Sequence, residues 1–167
     1  MVSISDPDAD KVVPVGMNGS VKTIDELSTR EVVAALEGEM MKKPQIALPV
    51  RHYFSPGVYA RELFIPAGTW LTGHIHKYPH LCIMAMGDMS VLLEDGLLHR
   101  VRAPFTTIAQ PGMKRIAYAH ADTLWTMIHA TEETDLDKIE ELLVAKDETE
   151  YQQFVAMLEK DKVKCLS

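Results

Sequence analysis

The strongest constraint on this chain is the rhythm of its middle, residues 44–130. Short runs of β-branched and aromatic residues alternate there with turn residues. Val58-Tyr59-Ala60-Arg61-Glu62-Leu63-Phe64-Ile65 precedes Pro66-Ala67-Gly68, and Ser90-Val91-Leu92-Leu93 precedes Glu94-Asp95-Gly96. Branched and aromatic side chains suit a pleated, half-buried surface, whereas Gly, Pro and Asp interrupt it. Asp95-Gly96 between two apolar runs signals a hairpin, because a type I′ turn needs positive φ at its central residues. Further strands are expected at 97–102, 105–109, 114–119 and 123–129. Many short strands at close spacing bury their apolar faces by packing sheet on sheet or by closing into a barrel.

Both flanks read as helical. Thr23 followed by Glu26 has the form of a capping box, and Leu27, Val32, Val33, Leu36 and Met40 make an apolar stripe, so one helix, or two short ones, is expected over about 24–42. Residues 1–22 read as a loose arm. After residue 130, Thr134, Asp135 and Asp137 supply caps and negative charge at a helix start, and Leu136, Ile139, Leu142 and Leu143 form its apolar face. A last helix is expected over 148–160, with Phe154, Met157 and Leu158 on one side. The expected organisation is an arm and helix (1–43), a barrel (44–130) and C-terminal helices (131–167) that pack on the barrel or on a partner subunit. Apolar helix faces and open sheet faces need cover, which predicts a homo-oligomer, most simply a dimer.

Charge narrows the partners. The formal net charge of the 167 residues is −7, which argues against nucleic acid, since neutralising phosphates takes clustered Lys and Arg. No apolar stretch is long enough to span a bilayer. The polar, acidic start MVSISDPDADK does not read as a secretory signal. Cys82 and Cys165 form no CxxC pair, so a cytoplasmic setting with reduced thiols is expected. Met84, Met86, Met89 and Met113 are expected to fill barrel interior rather than to bind a soft metal.

Chemistry concentrates in Gly68-Thr-Trp-Leu-Thr-Gly-His74-Ile-His76-Lys-Tyr-Pro-His80-Leu-Cys-Ile-Met-Ala-Met-Gly87. Residues of like parity on a strand face the same way. His74, His76 and His80 share parity, and Pro79 suggests a bend between two strand pieces. Three imidazoles meeting inside a barrel can hold one divalent metal and leave positions for water or substrate. His129 ends a strand and can reach in from the opposite wall. His52 and His120 are lesser ligand candidates, His120 because it is expected in a turn before Asp122; His99 is expected on the surface, and Cys82 as a buried, inert thiol.

The spacing Gly68-x5-His74-x-His76-x3-His80-x6-Gly87 resembles the first motif of the cupin superfamily, Gly-x5-His-x-His-x3-Glu-x6-Gly, with His80 in the place of the glutamate. The resemblance covers roughly residues 50–130. It implies a mainly β fold, a cupin-type double-stranded β-helix (jelly-roll) barrel with flanking N- and C-terminal helices, and a metal such as Fe, Mn, Zn or Ni at these histidines. The second motif, Gly-x5-Pro-x-Gly-x2-His-x3-Asn, agrees only at Gly112. Its other positions fall on Pro104, Gln110, Arg115 and Ala119. Arg115 stands where the family places its fourth ligand, and a guanidinium cannot ligate a metal. It can instead bind an anionic substrate group. Three outcomes follow: His80 is the third ligand, another histidine completes the set, or the site has lost its metal.

The stretches RHYFSPGVYARELFIPAG, GHIHKYPHL and DTLWTMIHA are also similar to small cupin-like proteins of phages and prophages, which would imply the cytoplasm of an infected bacterium. No Ser/His/Asp order, phosphate-binding glycine loop or paired carboxylates are evident. An enzyme of this kind would therefore be metal-dependent, of the dioxygenase, isomerase or lyase class that cupin relatives include. The alternative is a non-catalytic module that binds a metabolite or a host protein, with any metal structural.

Overall fold

The computed structural model describes residues 1–5, 28–93 and 96–164, with side chains as far as residue 160. In chain order the elements are β1 (Ser3–Ser5), α1 (Thr29–Met40), β2 (Val50–Ser55), β3 (Val58–Ile65), β4 (Thr69–Thr72), β5 (Ile75–His76), β6 (His80–Leu92), β7 (Leu98–Arg102), β8 (Phe105–Ala109), β9 (Ile116–Ala130), α2 (Leu136–Leu143), β10 (Val144–Ala145) and α3 (Glu148–Lys164).

Two long strands, β6 and β9, organise the barrel. They pair antiparallel along most of their length and serve both halves of one curled sheet. In one half β2 and β3 add beside the C-terminal part of β9, and β8 adds beside the N-terminal part of β6. In the other half β1 and β4 add beside the start of β9, and β7 adds beside the end of β6. The fold is thus a double-stranded β-helix of the jelly-roll type, mainly β, with helices at its flanks.

The strands change halves at an irregular stretch of β6, where register shifts occur between Met84 and Met89. An extra residue bends a strand and sharpens its twist. Gly87 sits in this bend with φ +120°, and a Cβ there would overlap Thr123, coming 2.6 Å from its Cβ and 2.7 Å from its Cα. Both the backbone and the close approach require glycine. Asp88 beside it accepts from Arg100 Nε at 2.7 Å and Arg102 Nε at 2.9 Å, fixing β7 against the bend.

The barrel core is apolar: Leu63, Ile65, Leu71, Met84, Met89, Ala117 and Ala119 are buried together. Of the four methionines, Met84 and Met89 fill this core, Met86 is exposed, and the Met113 sulfur accepts from Arg115. α1 lies outside it, with Val33 and Met40 packed on Val2, Ile4 and Ile116. α2 packs Ile139 and Leu143 on Tyr59. β10 continues from α2 and pairs with β5. Lys77 locks this join: its backbone N–H donates to Leu143 and its ammonium to the Glu141 carbonyl and to Glu150, each at 2.8 Å. Tyr78 meets Phe154 of α3 edge-on. Among the described residues, no helix is long and apolar enough to cross a membrane.

Several elements differ from the sequence expectation. α1 starts at Ser28, which forms a capping box with Glu31; the Thr23–Glu26 pair lies outside the described residues. Ser3–Ser5, expected as loose arm, is a strand paired to β4. The strands expected at 114–119 and 123–129 are one continuous strand. β6 and β7 form the expected hairpin, pairing Leu92 with Leu98 and continuing with the Leu93 N–H donating to the Leu97 carbonyl at 3.1 Å; Asp95, at the expected turn, lies outside the described residues.

Candidate functional site

The register of the first half-sheet stacks its inward side chains in rows. Tyr59 on β3 pairs with His129 on β9. His80, at the start of β6, sits on the other side of His129, with ring centroids 4.5 Å apart. The next row inward is Arg61, Met127, Cys82 and Thr107, and below it come Leu63, Trp125, Met84 and Phe105. The barrel therefore runs from imidazoles and a phenol at one end, through a guanidinium, to hydrocarbon.

β5 supplies the third ring from the facing wall. His76 lies 4.2 Å from His80 and 5.2 Å from His129, centroid to centroid. One ring nitrogen from each of His76, His80 and His129 lies within 4.8 Å of the others. His80 and His129 are buried and His76 is half-buried.

Burial, reinforced by the neighbouring imidazoles, holds His76 down at about 2. Burial does the same for His129, at about 4, and lowers His80 as well. All three are thus neutral near pH 7, which is the form that ligates a metal. The arrangement also orients them. His80 Nδ1 lies 3.4 Å from the Tyr78 carbonyl. A proton on that nitrogen leaves Nε2 free to ligate. His76 Nδ1 is buried with no hydrogen-bond partner, a costly state for an imidazole unless something meets it. The donor set and this orphaned nitrogen fit one divalent ion.

The sequence expectation set His74 with His76 and His80. The structure brings His76 and His80 together and adds His129, while His74 stands apart, its Nδ1 3.6 Å from Glu140 Oε1 of α2. Parity applies only within a strand, and β5 is just Ile75–His76. Gly73, tied to the Arg115 carbonyl at 2.9 Å, lies outside it. Burial lowers His74 to about 4 too. Of the remaining histidines, His52 bonds the Tyr59 hydroxyl at 2.8 Å and His120 bonds Ser90 at 2.7 Å. Burial pushes the Cys82 thiol up to about 11, so it is unreactive at neutral pH.

A cavity of about 380 Å³ adjoins the histidines and is lined by His74, His76, His80, Arg61 and Arg115 at its polar end. Leu63, Leu71, Met89, Val101 and Ala117 form its apolar walls. Arg115, just before β9, lines the cavity, where its Nη2 donates to Met113 Sδ at 2.7 Å. No Asp or Glu lines this cavity among the described residues. Arg61 escaped the sequence reading. Its signal was its parity with Tyr59, Leu63 and Ile65, a lone charge on an inward, otherwise apolar row.

The barrel is a double-stranded β-helix of the jelly-roll type. Solved structures similar to this chain include an acetylacetone dioxygenase from Acinetobacter johnsonii, at 17% identity over 50% of this chain and 59% of that one, with a TM-score of 0.41. The match thus spans less than two thirds of that dioxygenase. An RmlC-like cupin with a double-stranded β-helix fold from Methanocaldococcus jannaschii matches at 16% identity over 50% and 80% of the two chains, with a TM-score of 0.43. Ectoine synthase from P. lautus matches at 13% identity over 60% and 80%, with a TM-score of 0.47. No protein-family model matches the sequence, and no curated protein matches it.

Proposed function

We propose that this cupin barrel holds one first-row divalent metal at His76, His80 and His129 and binds a small anionic molecule beside it. The observation that carries the reading is the convergence of three neutral imidazoles, two buried and one half-buried with an unpartnered nitrogen, beside a cavity that His76 and His80 line. A bound Fe, Mn, Zn or Ni ion would supply Lewis acidity and positions open to water or ligand. The chain's own residues do the rest. Tyr78 orients His80 through its carbonyl. Tyr59 stacks on His129 and limits its rotation. The apolar walls exclude water, which strengthens every polar contact within. Arg115 presents a guanidinium suited to a carboxylate or phosphate.

Metal analysis of protein purified without a histidine tag tests this reading. Close to one metal per chain is expected, lost in His76→Ala and in His129→Ala. Arg115→Ala should keep the metal and weaken anion binding, and Arg115→Lys should restore binding in part, since bidentate geometry is lost. Protein without metal that is not stabilised by added zinc or iron would refute it.

A second reading, a non-catalytic module that binds a metabolite, is favoured by one observation. No carboxylate lines the cavity among the described residues, so proton transfer there has no carboxylate base. Stoichiometric metal and ligand binding without turnover of any bound anion would support it.

A further inference from the structure

We propose that the ligand is an amphiphilic carboxylate, its head group held between Arg61 and Arg115 and its aliphatic or aromatic body laid along Leu63, Leu71, Met89 and Val101. This deepens the reading of an anion beside the histidines and rests on it.

Two guanidinium groups line one cavity, and on both the Nε is buried with no hydrogen-bond partner. Arginine cannot shed its proton to escape the cost of burial. Both residues are half-buried, and leaving the buried Nε of each without a partner is unfavourable. The usual remedy, a nearby carboxylate, is lacking, since no acidic residue lines the cavity among the described residues. Glu62, next to Arg61 on β3, turns to the other face and pairs with Arg51 at 3.5 Å. The sulfur that meets Arg115 is a weak acceptor. The two cations are therefore poised for an acceptor that the described residues do not provide.

The walls decide what that acceptor is attached to. Arg61 lies one row from His129 and one row from Leu63, so a head group at Arg61 has imidazoles on one side and hydrocarbon on the other. The second half-sheet repeats this: Arg115 precedes Ala117, which pairs with Leu71 and Val91. An inorganic anion would satisfy the arginines and leave these walls bare. A carboxylate with a hydrocarbon body satisfies both, and about 380 Å³ is room for one small organic molecule.

The test is calorimetric titration of the purified protein with octanoate, acetate and octanol. Octanoate should bind more tightly than acetate, by about fourfold for each methylene buried. Octanol should bind at least about tenfold more weakly than octanoate, for want of the charge-assisted bonds. Arg61→Met and Arg115→Met, both able to fill the space of the stem, should each weaken octanoate about tenfold or more and leave octanol unchanged. Val101→Trp, which shortens the apolar end and keeps both arginines, should weaken octanoate and spare acetate. Melting temperatures near that of the parent establish that each variant folds. Equal affinity for acetate and octanoate, lost in Arg115→Met, would overturn the amphiphile and leave the anion reading standing. Octanoate binding indifferent to both arginine changes would overturn the head-group placement. Failure of both acids to bind would bring down the anion reading with it.

Discussion

Acid should unfold the metal-free protein well above the range where carboxylates titrate. His74, His76 and His129 are buried and held at about 4, 2 and 4, against 6.5 for a free imidazole. A histidine depressed in the folded state favours folding fully above its unfolded value. As pH falls below 6.5, the unfolded chain takes up the proton and the folded chain does not, so stability is lost down to about pH 4. At about pH 5 each of the three costs roughly 2 kcal/mol, on the order of 6 kcal/mol together. That equals much of the stability of an ordinary domain. Urea denaturation between about pH 7.5 and pH 5 in chelator measures it, the chelator removing the separate competition between metal and protons. The limiting slope should approach about 4 kcal/mol per pH unit, three protons' worth, and His76→Gln should remove about one proton from it. Lowered carboxylates such as Glu37, ordinarily near 4.5, act only below this window. Stability that stays flat from about pH 7 to pH 5 would refute the reasoning, since it would mean that water reaches these rings in the folded state.

Four further outcomes are expected. Cobalt substitution should give a ligand-field spectrum that His129→Ala abolishes and His74→Ala preserves, because His74 lies outside the three-ring cluster, its Nδ1 3.6 Å from Glu140. Met84→Ala, at a side chain with no exposed surface, should cost about 2–5 kcal/mol in urea unfolding, and a cost below about 1 kcal/mol would contradict its place in the core. Gly87→Ala should sharply reduce soluble protein, since its Cβ would overlap Thr123 and its φ of +120° suits glycine alone; parent-like expression and melting would contradict the bend described for β6. Light scattering should report a dimer, because an outer-face row running from Ile108 through Leu81 to Ile128 leaves Ile108 and Leu81 exposed; a monomer mass at micromolar concentration would oppose this.

What could be read in the sequence depended on the range over which each signal acts. The strand runs and their turns are local, and β3, β7 and β8 lie within a residue of where the side-chain pattern puts them. The helix start was ambiguous because Thr23–Glu26 and Ser28–Glu31 share one pattern five residues apart; packing of Val33 and Met40 on the barrel goes with the second. β1 is three residues long and carries no pattern of its own. It exists through pairing with β4 and burial of Val2 and Ile4. At the site, the convergence of His76 and His80 was local enough to anticipate. The place of His129 depends on the register of β9 against β3 and β6, which no local spacing encodes. His74 lies just before the two-residue strand β5, so the parity of that strand does not extend to it.

The pairing of β5 with β10 has a consequence for the order in which the protein matures. His76 sits opposite Val144, and β10 is the only strand that pairs with β5 among the described residues. During synthesis the barrel strands can close once β9 has emerged, but the wall carrying His76 must wait for a segment made later, and for Glu141 and Glu150 to meet Lys77. Contacts between distant parts of a chain form late, since the intervening chain must be ordered first. The nascent barrel would therefore pass through a stage in which His80 and His129 face each other without their third partner. A chain cut after residue 130 would be held at that stage, a two-histidine cradle with little grip on metal. Binding of the proposed ion would then wait until residues 144–150 have been made.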